Sequence, residues 1–178
     1  SALLANATLV RCNLVEADLE DADATAAILN SVQARRARLD GARLVRSQLS
    51  GADLRGVSAE QTDFSRADMR STTISQARLT GARLVRTELD SSDLSGSLLR
   101  RADLTSASAW KTDFRRSDLS DSRLDHAQMV GADLQETSLA RASAADLDVT
   151  NATMGATQLT NLDFSRIRGL DQVRHRAP

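Results

Sequence analysis

LDGARLVRSQLSGADL, residues 39–54, decides how the whole chain is read. Leucine stands at positions 39, 44, 49 and 54, and the residue two before each is small: Ala37, Ala42, Ser47 and Ala52. Five is the wrong period for regular secondary structure. On an α-helix each five-residue step advances about 500°, so the leucines would wander over every face. On a flat strand an odd step sends alternate leucines to opposite sides. A backbone that bends once per repeat keeps them all on one axis, and such self-similarity marks a repeat architecture.

Followed outward, the register runs unbroken from Leu4 to Phe164, which makes 33 repeats. Their centres are 20 Leu, 5 Ala, 3 Phe, 3 Met, one Ile and one Val, and they take every phenylalanine (64, 114, 164) and every methionine (69, 129, 154) of the chain. The small position two before each centre is mostly Ala, Ser or Thr, and Cys12 fits it as another small inward residue. The other three positions carry nearly all the charge. With 178 residues and 41% hydrophobic content the chain can bury one core, but at 2% aromatics that core must be aliphatic. A single cysteine excludes an internal disulfide framework and suits a reducing, cytoplasmic setting. A net charge of −1 gives no overall pull toward nucleic acid or an anionic membrane. No apolar run approaches the length of a membrane span, and no leader pattern is present. The repeat is already running at Ala2 and Ser1 is not methionine, so a piece of a longer polypeptide is expected.

GADLR (51–55), RADMR (66–70), RADLT (101–105) and GADLQ (131–135) resemble the pentapeptide-repeat family, whose pattern is A-(D/N)-L-x-x. The resemblance covers about residues 2–167 and implies an all-β fold, a right-handed quadrilateral parallel β-helix with four repeats per coil. Thirty-three repeats would give about eight coils, a rod of about 40 Å at roughly 4.8 Å per stacked strand. Residues 1–167 are then the β-helix and 168–178 a short non-repeat tail or cap, in which Leu170 and Val173 would fold over the open end and hide its last edges. The tail also resembles segments that follow the repeats in some longer bacterial members.

If residues twenty apart are stacked, outward charges should match across coils. Asp23, Arg43, Asp63, Arg83, Asp103 and Arg123 alternate in sign without a break. Volumes match too: Val32 and Val57, the only valines at small positions, precede the alanine centres Ala34 and Ala59. Ala144 with Leu147 is similar, whereas Ala24 and Ala109 have no such partner and predict local irregularity.

No catalytic constellation is visible. An interior filled by its own side chains offers no pocket. His126 and His175 lie far apart with no metal-ligand spacing, so neither metal nor cofactor is expected. Glycines at 41, 51, 81, 96 and 131 recur at one outward position, read as tight corners that want small residues rather than as a phosphate loop. The candidate sites are therefore on the surface. Arg46, Arg66 and Arg86 form a basic column, with Arg166 farther along it; Asp53, Asp93, Asp113 and Asp133 form an acidic one, interrupted by Thr73. Trp110 falls just after a centre and should point outward, either to anchor a partner or to lie over the gap left by Ala109.

A non-catalytic scaffold that binds a protein partner is the expected function, with oligomeric state left open. The resemblance also implies an alternative: some family members mimic DNA and act on type II topoisomerase (gyrase), giving quinolone resistance. This chain departs from them, with leucine centres, one cysteine and almost no net charge. Nucleic-acid binding through Arg46, Arg66 and Arg86 lacks stacking aromatics and a net basic domain.

Overall fold

The computed structural model describes residues 2–176. Residues twenty apart are bridged in parallel, from Leu3 with Asp23 to Asp148 with Arg168. Each turn of chain therefore takes twenty residues and offers four bridge positions, one per repeat. The bridges stay isolated because the chain bends before an extended strand can form. Around each centre the backbone bonds run along the rod: Leu44 N–H donates to Asp63 C=O one turn ahead (2.7 Å), and Arg43 N–H donates to Ala22 C=O one turn behind (2.9 Å).

The bend itself is a four-residue turn. The small residue's N–H donates to the carbonyl of the preceding centre, as Ser47 does to Leu44 at 3.1 Å. The third residue of such a turn lies at positive φ, and here every fifth residue from Asn6 to Asn161 does so. Six of these are glycine, including Gly56, but 26 are not, with φ between 52° and 60°. The corner glycines thus answer a backbone angle, and the expectation that corners want small side chains is corrected. A Cβ on Gly56 would meet nothing closer than Arg36 Cγ at 3.7 Å.

One N–H per repeat is left over by this scheme, that of the first residue after the centre. Every Asp or Asn directly before a centre takes it as a side-chain acceptor, from Asn13 (Val15 N–H, 3.0 Å) to Asp163 (Ser165 N–H, 2.9 Å). Where Gln48, Ser58, Ser108 or Ser143 stands there instead, the acceptor comes from the turn before: Asn30 for Ser50, Asp40 for Glu60, Asp90 for Trp110 and Asp125 for Ala145. The acidic position of the repeat is thereby a backbone requirement.

Leu44, Phe64 and Leu84 are buried on the axis with the other aliphatic centres. Several inward hydroxyls are paired: Thr62, Thr87, Thr112 and Thr137 each donate to the carbonyl of a centre 23 residues back, whereas the buried hydroxyls of Ser117 and Ser122 have no partner among the described residues. Filling is incomplete at the start of the rod. Ala24 and Ala34 line an apolar axial cavity of about 30 Å³ near the first turns, even though Val32 is beside Ala34. Ala59, fully buried next to Val57, lies outside it.

The last turn is irregular. Leu162 occupies a small position and is buried, while the centre Phe164 is 43% exposed. Beyond it the chain makes a 3₁₀ turn, Leu170–Gln172, and then a strand, β2 (Arg174–His175), that pairs in parallel with β1 (Thr153–Met154). Thr153 faces Arg174, an offset of 21 rather than 20, so one extra residue has entered the turn. Through β2 this segment rejoins the rod one residue out of phase. Gly169, at φ 75°, makes the irregularity possible, because a Cβ there would lie 2.6 Å from the Thr150 backbone N. Val173 packs against the core and Leu170 stays 37% exposed.

Filling the axial cavity should stabilise the rod, whereas the same change in a filled turn should not. Ala34→Val is expected to raise the urea-unfolding free energy by about 0.5–1 kcal/mol, and Ala59→Val to lower it by about 1–3 kcal/mol.

Candidate partner-binding surface

In chain order around one turn, the surface residues singled out in the sequence follow one another. The arginine corner comes first, then the bridge residue of the next repeat, then the corner that carries Trp110, then the acidic column. Arg46, Arg66 and Arg86 are exposed on three successive turns, at φ 58°, 60° and 55°. None of the three makes an ion pair among the described residues. Farther along this corner Asp146 pairs with Arg166, and His126 Nδ1 lies 3.4 Å from the same carboxylate.

The acidic column is different in kind. Asp53, Asp93, Asp113 and Asp133 are half-buried and each accepts the N–H of the residue two ahead. Three of them also hold guanidinium groups. Asp53 accepts from Arg55 Nε at 2.8 Å and Nη2 at 2.7 Å, with Arg35 Nε 3.5 Å away. Asp113 accepts from Arg115 Nε at 2.9 Å, and Asp133 lies 3.8 Å from the same nitrogen. Asp93 has no such partner among the described residues. Seen from outside, the column is a set of largely neutralised pairs.

The alternating column resolves likewise. Arg83 Nε is 3.5 Å from Asp63, and Arg123 Nη1 is 3.8 Å from Asp103. These two arginines reach back one turn, while Arg43 makes no ion pair among the described residues, so the column holds separate dyads instead of a continuous chain of charge. Such exposed pairs are each worth about 0.2–1 kcal/mol, so they select register more than they supply stability.

Trp110 is 45% exposed and points outward. Its N–H on the backbone donates to Asp90 Oδ1 (3.0 Å), and Lys111 Nζ sits 3.9 Å from the centroid of its ring. Lys111 and Arg174, beside Trp110 in one groove, are contacts that the sequence reading missed. Trp110 and Lys111 are the chain's single tryptophan and single lysine, and their adjacency was the available signal. Arg174 gave none, because a twenty-residue register puts it inward.

Hydrogen bonds and guanidinium groups depress several carboxyls. Donors on Thr25 hold Asp23 below the ordinary range, Arg55 and Arg70 do so for Asp53 and Asp68, Arg141 for Asp121, and Arg116 for Glu136. Among the described residues no cluster of His, Cys, Asp or Glu could hold a metal ion, and no helix is long and apolar enough to cross a membrane.

Two expectations follow from this chemistry. Asp93→Ala should destabilise by about 1 kcal/mol in urea while Asp93→Asn, which keeps the acceptor, should cost less than about half of that. The depressed carboxyls bind protons more readily when unfolded, near the ordinary value of about 3.9. Their stabilisation is complete above about pH 5 and is lost as pH falls through the lower folded values. The urea midpoint should accordingly be level from about pH 7 to 5 and fall by pH 3; a rise on acidification would contradict the assignment.

The pattern of the pentapeptide repeats family matches this chain in 8 copies, over residues 2–41, 47–84, 82–121 and 117–155. The crystal structure of HetL, a pentapeptide repeat protein involved in heterocyst differentiation regulation from the cyanobacterium Nostoc sp. strain PCC 7120, is 28% identical with a TM-score of 0.80, covering 93% of this chain and 70% of that one. A trypsin-treated form of QnrB1, a plasmid-mediated fluoroquinolone resistance protein, has a TM-score of 0.63 at 15% identity, covering 96% of this chain and 84% of that one; this is likeness of fold alone. No curated protein matches the chain. The fold shared with these structures is a right-handed β-helix.

Proposed function

We propose that this chain, which belongs to the pentapeptide repeat family, is a non-catalytic scaffold that binds a protein partner along the side bearing Arg46, Arg66, Arg86 and Trp110. In this reading the rod is quadrilateral, of about eight turns, and serves as a rigid module of a longer bacterial protein acting in the cytoplasm. The observation that carries it is contrast. Most arginines of the rod face a carboxylate, yet this side keeps three stacked guanidinium groups unpaired and a tryptophan 45% exposed. Unpaired cations and a half-exposed indole are what a partner surface can use without first breaking internal pairs.

Imitation of a DNA duplex toward a topoisomerase draws less support. Of the four aspartates that could stand for phosphates, Asp53, Asp113 and Asp133 already have arginine beside them. Fold alone does not carry a function across at 15% identity.

Affinity capture on the purified chain, followed by crosslinking and mass spectrometry, tests the proposal. A saturable protein partner is expected, with crosslinks on the arginine and tryptophan side, weakened at least about tenfold by Trp110→Ala or by a triple Arg46→Gln, Arg66→Gln, Arg86→Gln change. Failure of wild type to retain any partner specifically, or variants that bind unchanged, would sink it.

A further inference from the structure

The groove beside Trp110 is a feature that the solenoid's own bonding does not require. It has a volume of about 360 Å³ and joins two kinds of wall. The apolar wall is Trp110 and Val130, neighbours on one corner; the polar wall is Lys111, Asn151 and Arg174. Gly131 stands between Lys111 and Asn151 in the next column, twenty residues from each, and its missing side chain opens the notch. Neither Lys111 nor Arg174 makes an ion pair among the described residues.

Arg174 is present only because the last turn holds 21 residues. In a twenty-residue register Val173 would face Thr153 and Arg174 would point at the axis. The added residue turns Val173 inward, where it packs against the core, and brings Arg174 out beside Thr153. The irregularity of the rod's end and the composition of the groove have one cause.

We propose that this groove is the docking site for an acidic peptide segment of the protein partner, with one apolar side chain seated on Trp110 and Val130 and the adjacent carboxylate held by Lys111 and Arg174. This rests on the protein-binding reading above and gives it a chemistry. Two unpaired cations with an amide between them complement a carboxylate beside an apolar group, and no internal salt bridge has to be broken to receive it. A nucleotide fits less well. Lys111 Nζ covers one face of the indole at 3.9 Å, which blocks stacking of a base there.

Trp110 is the only tryptophan, so its emission reports occupancy without a label. The probes are an acetylated hexapeptide pool with one fixed Asp-Leu pair, the same pool with Asn-Leu, and AMP. The Asp-Leu pool should change the emission saturably, and binding should weaken at least about tenfold with the Asn-Leu pool, in about 0.5 M NaCl, and in a Lys111→Gln, Arg174→Gln protein whose urea midpoint is unchanged. Equal response to both pools, no response to either, or a response to AMP alone would overturn the site. Capture of the partner separates the two readings: full-strength binding to the Lys111→Gln, Arg174→Gln protein removes this groove and leaves the scaffold standing, whereas absence of any partner removes both.

Discussion

Every fifth residue from Asn6 to Asn161 is held in the left-handed region of backbone space, and the rest of the structure depends on that angle. For a residue with a Cβ it is costly, roughly 1–2 kcal/mol each. It recurs at 26 non-glycine positions, and from Asn6 to Arg141 it aims the corner N–H along the rod at a carbonyl of the next turn, as Asn6 does to Thr25 at 2.9 Å and Arg46 to Ser65 at 3.0 Å. It also closes the turn that brings the following small residue inward. Corner angle, inter-turn bond and aliphatic axis are thus three aspects of one constraint, and none could form alone.

The same constraint governs the surface. Because one N–H per repeat has no backbone partner, the residue before each centre is repeatedly aspartate, and the rod acquires acidic columns for reasons unrelated to any ligand. Arginines two residues or one turn away then neutralise much of that charge. On the side that carries Trp110, the guanidinium groups of Arg46, Arg66 and Arg86 stay outside this internal pairing, as does the corner where Trp110 meets Lys111.

The period, the inward centres and the twenty-residue spacing were legible in the sequence because they follow from where scarce apolar residues stand. The pairing of Asp23, Arg43, Asp63 and their successors followed from the same spacing. The role of Asp53, Asp93, Asp113 and Asp133 was not legible, since an acceptor for a backbone N–H and a charge offered to a partner look identical as letters. Positive φ was hidden for a related reason: its relief comes from backbone bonds repeated along the rod, so arginine and serine occupy the corners as well as glycine. The final turn misled for a third reason. Gly169 permits a close approach to Thr150 that only coordinates reveal, and that contact, not the pattern of leucines, sets the phase of Arg174.

The four bridge positions per turn carry one more implication. Inserting or deleting a single pentapeptide would leave the interior content unchanged, because each centre still finds the axis. Outside, everything downstream would rotate by a quarter of a turn, and columns that now stack would be parted. The packed axis would register little of such a change, whereas outside it the twenty-residue pairs, such as Asp90 with the Trp110 N–H, would be separated.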